Sequence, residues 1–425
     1  MKYAVLTFGC KVNQYESSAI NSAMIAAGHE PCAEDESPDI VIVNSCTVTE
    51  NSDKKASHAI RAAKKRNSGV ITVLAGCYPQ AFPEEAGKCS ADIIIGNANK
   101  TKIPELIAGY MDDGKVSAEM VLPREYEDVP FSYSADKTRA FIKIEDGCDR
   151  FCSYCAIPYA RGRVRSRELG SIGREACICA ENGHKEIVLV GINLTCYGTD
   201  TGLDLADAVE AASAPDGIER VRLSSLEPEM LDDRLISRLA ACKKLCPHFH
   251  LSLQSGCDAT LRRMNRHYDT AEYLGIIGRL RENFPDCAIT TDIMVVFAGE
   301  TDDEFAESLA FAEKAGFARI HVFTYSVRKG TAAAKRNDFV PETVKAERYA
   351  KMSAVAEKVH AGFLRSQIGK CAEILVQKRT SPDYAEGLTP NYTPVRIYGS
   401  DAHRHDIIRI RITGAGDGYC TGEAL

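Results

Sequence analysis

The sequence predicts an α/β protein in three parts: an N-terminal α/β domain on a parallel sheet, a central partial (β/α)6 barrel, and a small C-terminal all-β barrel. Three observations carry this reading. Three early apolar runs, Tyr3 to Cys10, Asp39 to Cys46 and Val70 to Cys77, each end in small or turn residues and a cysteine, with helical periodicity between them. Six further strand-like runs alternate with helical ones between Phe141 and Thr324. From residue 370 onward short β-like runs return, separated by Gly, Pro and Asn.

Taken in order, helical periodicity over Glu16 to Ala27 and Asp53 to Lys65 sets a helix between the early strands, and Ala91 to Ile95 adds a fourth strand. Right-handed crossovers put every strand's carboxyl end on one edge of such a sheet, the edge where open α/β sheets bind ligands. Cys10, Cys46 and Cys77 are therefore expected to converge, although they lie 36 and 31 residues apart. Residues 121–138 are polar, hold two prolines and lack periodicity, so they read as a linker that closes a first domain of 1–120. The barrel domain spans 139–366, with strands at Phe141 to Glu145, Glu186 to Val190, Arg220 to Leu223, His248 to Leu253, Ala288 to Val296 and Ala318 to Thr324. Six units are too few for a closed eightfold barrel and place an active site at the strand C-termini. A helix follows Pro341, from Val344 through Phe363, and stops at Gly369. The last domain, 367–425, holds the β-like runs 372–377, 394–399 and 406–413.

A length of 425 residues with 45% hydrophobic and 26% charged content excludes a single small module and wholesale disorder. The net charge of −7 excludes a molecule that holds nucleic acid by overall charge, so any RNA site is local. No stretch approaches the roughly 20 apolar residues that span a bilayer, and MKYAVLTFGC lacks a signal peptide's apolar region, so a cytoplasmic protein is expected, without membrane partners. Seventeen cysteines in a reducing compartment point to metal or redox chemistry rather than a disulfide scaffold.

The sharpest signal is the C-x3-C-x2-C run of Cys148, Cys152 and Cys155, directly after the first barrel strand. Three thiolates in one loop can hold three irons of a [4Fe-4S] cluster and leave the fourth iron open to an amino and carboxylate chelator. The plainer alternatives are a zinc knuckle or three buried cysteines; structural zinc wants four ligands, and no fourth is paired nearby. Cys10, Cys46 and Cys77 taken alone are equally readable as small core residues at strand ends. The other eleven cysteines fall in no cluster motif; Cys242 and Cys246, four apart, could share a metal, and core packing is the plainer reading.

The loop GCDRFCSYCAIPYARGRVRSR resembles the signature of the radical S-adenosylmethionine (SAM) enzymes, and specifically of the methylthiotransferases. TFGCKVNQYES (7–17), NSCTVTENSDKK (44–55) and AGCYPQ (75–80) resemble that family's N-terminal domain. LQSGCDATLRRMNRHY (253–268), DIMVVFAGET (292–301) and YSVRKGT (325–331) resemble its barrel, and residues from about 367 its RNA-binding TRAM domain. GCKVNQYES with IPYARGRVRSR is most similar to the branch that methylthiolates N6-threonylcarbamoyladenosine in tRNA. The resemblance implies that Cys148, Cys152 and Cys155 ligate a radical-generating [4Fe-4S] cluster, and that Cys10, Cys46 and Cys77 ligate an auxiliary one. It also implies two uses of SAM: methylation of a sulfur on the auxiliary cluster, and reductive cleavage to a 5′-deoxyadenosyl radical that takes hydrogen from C2 of the adenine at tRNA position 37. That C–H is beyond acid–base catalysis, so a cofactor carries the chemistry and the protein aligns it. An electron donor such as a flavodoxin or ferredoxin and a sulfur source are implied partners.

Around these ligands, Tyr154 resembles the aromatic that lies against the SAM adenine, with loop packing as its plainer role. Asn193, Glu227, Gln254 and Asp292 sit at or just after barrel strands, where they could reach the SAM ribose, amine or carboxylate, or simply cap turns. Arg161, Arg163, Arg165 and Arg167 would share one face of an extended segment, available to tRNA phosphates or the SAM carboxylate, or be solvated surface charge. Asn391 and Tyr392 in the tail could meet RNA, or be an ordinary exposed asparagine and tyrosine of a β-loop. The chain departs from the family pattern at Val296 and Ala298, where glycine and proline are usual, at Ser252 in place of a proline, and at Thr195 and Cys196 in place of smaller residues; valine does not readily take glycine's positive φ. Three other readings stay open: a sister enzyme acting on isopentenyladenosine in tRNA or on a ribosomal-protein aspartate, a radical SAM enzyme with one cluster, and a non-catalytic iron-sulfur or zinc RNA-binding module.

Overall fold

Ile40–Ser45 is apolar at its first four positions and buried along its whole length, as a strand must be when helices cover both faces of its sheet. In the computed structural model, which describes residues 1–114, 120–129, 137–381 and 383–425, it is the middle strand of a parallel sheet. The order is Glu30–Pro31, Lys2–Thr7, Ile40–Ser45, Ile71–Gly76, Ile93–Ile95. Helices Lys11–Ala26 and Ile103–Asp113 bury Ile20, Met24, Ile103 and Ile107 on one face. Helix Glu50–Arg66 buries Ala56, Ile60 and Ala63 on the other, its first turn capped by Thr49, whose Oγ1 accepts from the Ser52 N–H at 3.3 Å. Thr7 pairs with Asn44 and Ser45 with Gly76, so the strand ends stand level.

The central domain is a parallel half-barrel. Arg139–Lys143, Glu186–Val190 and Arg220–Leu223 form one sheet; Ser225–Leu226, His248–Leu251, Ala288–Val295 and Arg319–Thr324 form the next, and a Val221–Leu245 bridge joins them. The six expected strands are thus present, with two differences. The first stops at Lys143, and Glu145–Asp146 instead pairs antiparallel with Arg165–Ser166. The third breaks at Ser224, so that Ser225–Leu226 pairs with the following strand. Helices Leu169–Glu181, Leu205–Ser213, Asp233–Ala241, Thr270–Asn283 and Asp302–Lys314 share one continuous core with the strands' outer faces.

Helix Glu342–Ser366 leads into a closed barrel of Cys371–Ser381, Tyr384–Leu388, Pro394–Tyr398, Cys420–Ala424 and Ile407–Ala415. Residues 130–136 of the expected linker lie outside the described residues. Its other residues are a strap: Tyr126 donates to the Lys143 carbonyl at 2.7 Å, Glu127 accepts from the Asn99 N–H at 3.0 Å, and Asp128 pairs with Arg167 at 2.7 Å. Among the described residues no helix is long and apolar enough to cross a membrane.

Candidate active site

Cys148, Cys152 and Cys155 lie on a loop between Glu145–Asp146 and the short helix Ile157–Arg161. Gly147 opens it at φ +90°, and a Cβ there would stand 1.9 Å from the Arg163 carbonyl oxygen, so only glycine fits. Backbone bonds pin the loop: Cys148 N–H to the Gly162 carbonyl (3.0 Å), Ser153 N–H to Met264 (2.9 Å) and Cys155 N–H to Cys152 (3.0 Å). Each sulfur meets an N–H donor. Ile157 N–H points to Cys155 Sγ (3.4 Å), Arg266 Nη1 to Cys152 Sγ (3.2 Å) and Asn193 Nδ2 to Cys148 Sγ (3.9 Å). Burial pushes all three thiols up, Cys155 to about 12, so a thiolate here needs a cation to hold it.

Cys10, Cys46 and Cys77 come together at the carboxyl edge of the first sheet, as the crossover rule requires. Cys10 caps helix Lys11–Ala26, Cys46 follows Ile40–Ser45, and Cys77 opens the short helix Cys77–Ala81. Cys46 and Cys77 are buried and Cys10 stands at the exposed rim; desolvation raises the Cys10 and Cys46 thiols, Cys46 to about 12, and the charge of Cys77 adds to both. Gly76 sits at φ +105° with Ser45 O 2.5 Å from where a Cβ would be, and this contact lets the second and third cysteines share one edge. Donors again face sulfur: Val48 N–H to Cys46 (3.5 Å), Arg161 Nε to Cys77 (3.3 Å) and Asn97 Nδ2 to Cys77 (3.6 Å). Soft thiols supported by N–H donors suit iron-sulfur ligation in both trios. Among the described residues no three His, Cys, Asp or Glu side chains are set to hold a single metal ion. Cys242 and Cys246 share no such site either: Cys242 meets Ser213 Oγ at 3.3 Å, while Cys246 is buried near Arg222.

A buried ion cluster stands between the trios. Arg161 reaches Cys77 with Nε, while its Nη1 donates to Glu16 Oε1 (2.7 Å) and Asp146 Oδ1 (3.0 Å); Lys143 joins Asp146 (2.6 Å) and Glu16 (3.2 Å). Burial alone would raise both carboxyls, but Arg161 with Lys100 and Lys143 holds Glu16 well below the usual carboxylate range, and Arg161 with Lys143 holds Asp146 at about 2. The expectation of a shared arginine face is corrected here. Arg161, Arg165 and Arg167 are interior, because Arg161 ends a helix and finds Glu16 and Asp146, Arg165 holds the Arg161 and Arg163 carbonyls at 2.8 and 2.7 Å, and Arg167 pairs with Glu175 and Asp128. Only Arg163 is exposed; it pairs with Asp149 and lies 4.9 Å over the Phe151 ring, which meets Tyr159 edge-on at 6.0 Å. Phe151 and Tyr159 are themselves exposed, an aromatic pair beside the loop that only its alternation with arginines could have flagged. Asn391 and Tyr392 are also turned inward: Asn391 bonds Gln367 and the Asp286 carbonyl, and Tyr392 stacks on buried His248.

A cavity of about 180 Å³ opens beside Cys155, lined by Tyr154, Gln254, Asp292, Met294, Phe323 and Tyr325 among others. Asn193 and Glu227 stand elsewhere: Asn193 faces Cys148, and Glu227 pairs with Arg266, the donor to Cys152. Both support sulfur positions and leave the cavity wall to the other three. Gln254 has φ +69° and is held by the Asp292 carbonyl (2.8 Å). Val296 takes the positive φ, +59°, that valine disfavours; its N–H bonds Glu300 (2.9 Å), which Arg348 anchors at 2.8 Å.

Residues 142–312 match the Radical SAM superfamily, and residues 2–96 match the Uncharacterized protein family UPF0004. The chain is 37% identical to the threonylcarbamoyladenosine tRNA methylthiotransferase MtaB of Thermotoga maritima over 95% of this chain and 93% of that protein. It is 34% identical to the tRNA-2-methylthio-N(6)-dimethylallyladenosine synthase of Alkaliphilus oremlandii, over 100% of this chain and 93% of that one. In fold it is similar to the radical SAM methyltransferase TsrM of Kitasatospora setae, with a TM-score of 0.58 at 15% identity over 78% of this chain and 77% of that one. The chain belongs to the radical SAM tRNA methylthiotransferases.

Proposed function

We propose that the protein methylthiolates C2 of N6-threonylcarbamoyladenosine at position 37 of tRNA. The observation that carries the reaction is the pair of thiol trios set on either side of one buried ion cluster, with a ligand-sized cavity against Cys155. In this reading Cys148, Cys152 and Cys155 hold the radical-generating cluster, and Cys10, Cys46 and Cys77 the auxiliary one. Bound there, the clusters and SAM supply the one-electron and methyl-transfer chemistry that replaces the C2 hydrogen by a methylthio group. The chain's own residues do the rest. Tyr154, Gln254 and Asp292 wall the SAM cavity, Arg266 and Asn193 orient Cys152 and Cys148, and Arg161 holds Cys77 in register with the loop. Residues 1–120 then form the auxiliary-cluster domain, 139–366 the radical domain, and 367–425 a tRNA-binding barrel, with Arg163, Phe151 and Tyr159 a second RNA contact at the active-site rim. A cytoplasmic one-electron donor and a sulfur source complete the reaction.

The substrate assignment is supported by GCKVNQYES and IPYARGRVRSR and by the MtaB-named relatives. The second reading, dimethylallyladenosine, is favoured by the Alkaliphilus relative, aligned over the whole chain. Anaerobic turnover with SAM and reductant on two tRNAs, one carrying each nucleoside, separates them by mass spectrometry. A 2-methylthio product on the threonylcarbamoyl tRNA alone supports the proposal; product on the dimethylallyl tRNA alone refutes it.

A further inference from the structure

Lys11 follows Cys10 directly and opens helix Lys11–Ala26, and its half-buried side chain lies within electrostatic reach of Arg139 and Arg222 on the half-barrel strands. Val12 beside it packs on Val188 and Val190. Arg139, Arg222 and Tyr392 lie within electrostatic reach of Lys11, and buried His248 and half-buried His321 in turn feel its charge. Among the described residues its ammonium has no hydrogen bond or ion pair. The surrounding charge does not balance. Glu186 is the carboxylate among these groups, and it is already taken by Arg222 at 2.7 Å, with Arg139 at 3.8 Å and Arg220 at 3.9 Å; Arg220 also faces Glu373 of the last barrel.

Tyr392 closes the floor, its ring stacked on His248 at 4.6 Å and lying 5.3 Å from Arg139 and 4.8 Å from Arg222. Buried nitrogens remain without hydrogen-bond partners there, namely His248 Nδ1 and Arg220 Nη2. Toward the cavity, Asp292 bonds His250 at 3.3 Å and faces His321, which faces Lys11. A desolvated surplus of positive charge is costly unless an anion joins it. The dimethylallyl group is a hydrocarbon and brings none, whereas the threonylcarbamoyl group ends in a carboxylate.

We propose that Lys11, backed by Arg139 and Arg222, receives the threonine carboxylate of the substrate and so selects threonylcarbamoyladenosine over its apolar counterpart. This rests on the substrate reading above. Consecutive Cα atoms are about 3.8 Å apart, so a base brought to Cys10 for reaction at C2 carries its N6 substituent into the reach of the neighbouring lysine. A charge-assisted contact of this kind changes affinity by about tenfold to a hundredfold.

The test uses the iron-loaded full chain, as wild type, Lys11→Met and Lys11→Arg. Affinities are measured for an anticodon stem-loop carrying threonylcarbamoyladenosine, for the same stem-loop with the threonine carboxylate as its methyl ester, and for SAM. Lys11→Met is expected to lose about tenfold or more on the acid and little on the ester, Lys11→Arg to recover most of it, and iron content and SAM affinity to stay unchanged. Equal binding of acid and ester by a wild-type enzyme that turns over threonylcarbamoyl tRNA would overturn the anion site alone. Loss of SAM affinity in Lys11→Met would assign the cation to the SAM carboxylate and overturn it too. Wild-type turnover of dimethylallyl tRNA alone would overturn both the site and the substrate reading.

Discussion

The two cysteine trios reach the same kind of site by opposite routes. Cys148, Cys152 and Cys155 fall within eight residues on one loop whose shape is fixed by Gly147 and by backbone bonds to Gly162 and Met264. Cys10, Cys46 and Cys77 come from the ends of three strands, and their meeting depends on strand register, on Gly76, and on Arg161 reaching across from the other domain. A local trio is stable to distant change, while an assembled trio inherits the energetics of every element that brings it together.

The largest break in this comparison is Arg161→Met. It leaves Glu16 and Asp146 buried with fewer partners and removes the donor to Cys77, so a loss of about 3–5 kcal/mol in folding stability is expected. Iron should leave the assembled trio first. Denaturant titration together with iron quantification checks both, and unchanged stability would mean that the ion cluster does not tie the two sites.

Two glycine substitutions sharpen the contrast. Gly76→Ala and Gly147→Ala each force a Cβ against a backbone carbonyl at positive φ, costing about 1–3 kcal/mol. The first should deplete only the strand-end trio and the second only the loop trio, each by about four irons per chain. Electron paramagnetic resonance of the reduced variants reads which cluster signal survives; loss of both signals from either change would contradict their independence.

On the loop side, Glu145 is fully buried, and burial raises its carboxyl to about 8 although it accepts the Ile192 and Asn193 N–H groups at 2.8 and 2.7 Å. Its folded value lies above its unfolded one, so the folded state holds the proton more tightly. Stability is therefore highest below about pH 4.5 for this group and falls as pH rises toward 8, by up to about 1.4 kcal/mol per unit. Glu145→Gln keeps the acceptor and should flatten that decline in denaturation curves taken at several pH values; an unchanged slope would assign it to other groups. The smallest effect is Val296→Gly, which relieves a valine at φ +59° but removes a side chain buried in the barrel core, so the two terms largely offset and a net loss of about 1 kcal/mol is expected. Differential scanning calorimetry of this variant should show a small fall in melting temperature, and a clear rise would show that the backbone strain outweighs the packing of the side chain.

What the sequence made legible follows the same divide. The loop trio stood in its spacing, and the convergence of the other three followed from strand handedness alone. Strands Glu186–Val190 and Arg220–Leu223 stand where periodicity put them. Glu30–Pro31, Tyr384–Leu388 and Cys420–Ala424 were not readable, being short or glycine-bearing and defined by their partners rather than by alternation. The arginine run was misread for a related reason: the acids that draw Arg161 inward are Glu16, 145 residues away, and Asp146, and no local pattern announces them. Lys11 likewise reads as an ordinary helix-start lysine until Arg139, Arg222 and Tyr392 are seen around it.

The measurement that tests the central claim most directly is iron content and SAM cleavage in anaerobically reconstituted wild type, Cys46→Ala and Cys152→Ala. Two clusters on these two trios predict about eight irons in the wild type and about four in each variant. 5′-Deoxyadenosine should still form in Cys46→Ala and be absent in Cys152→Ala, and neither variant should yield methylthiolated tRNA. A Cys46→Ala protein that keeps about eight irons and full product would contradict the account.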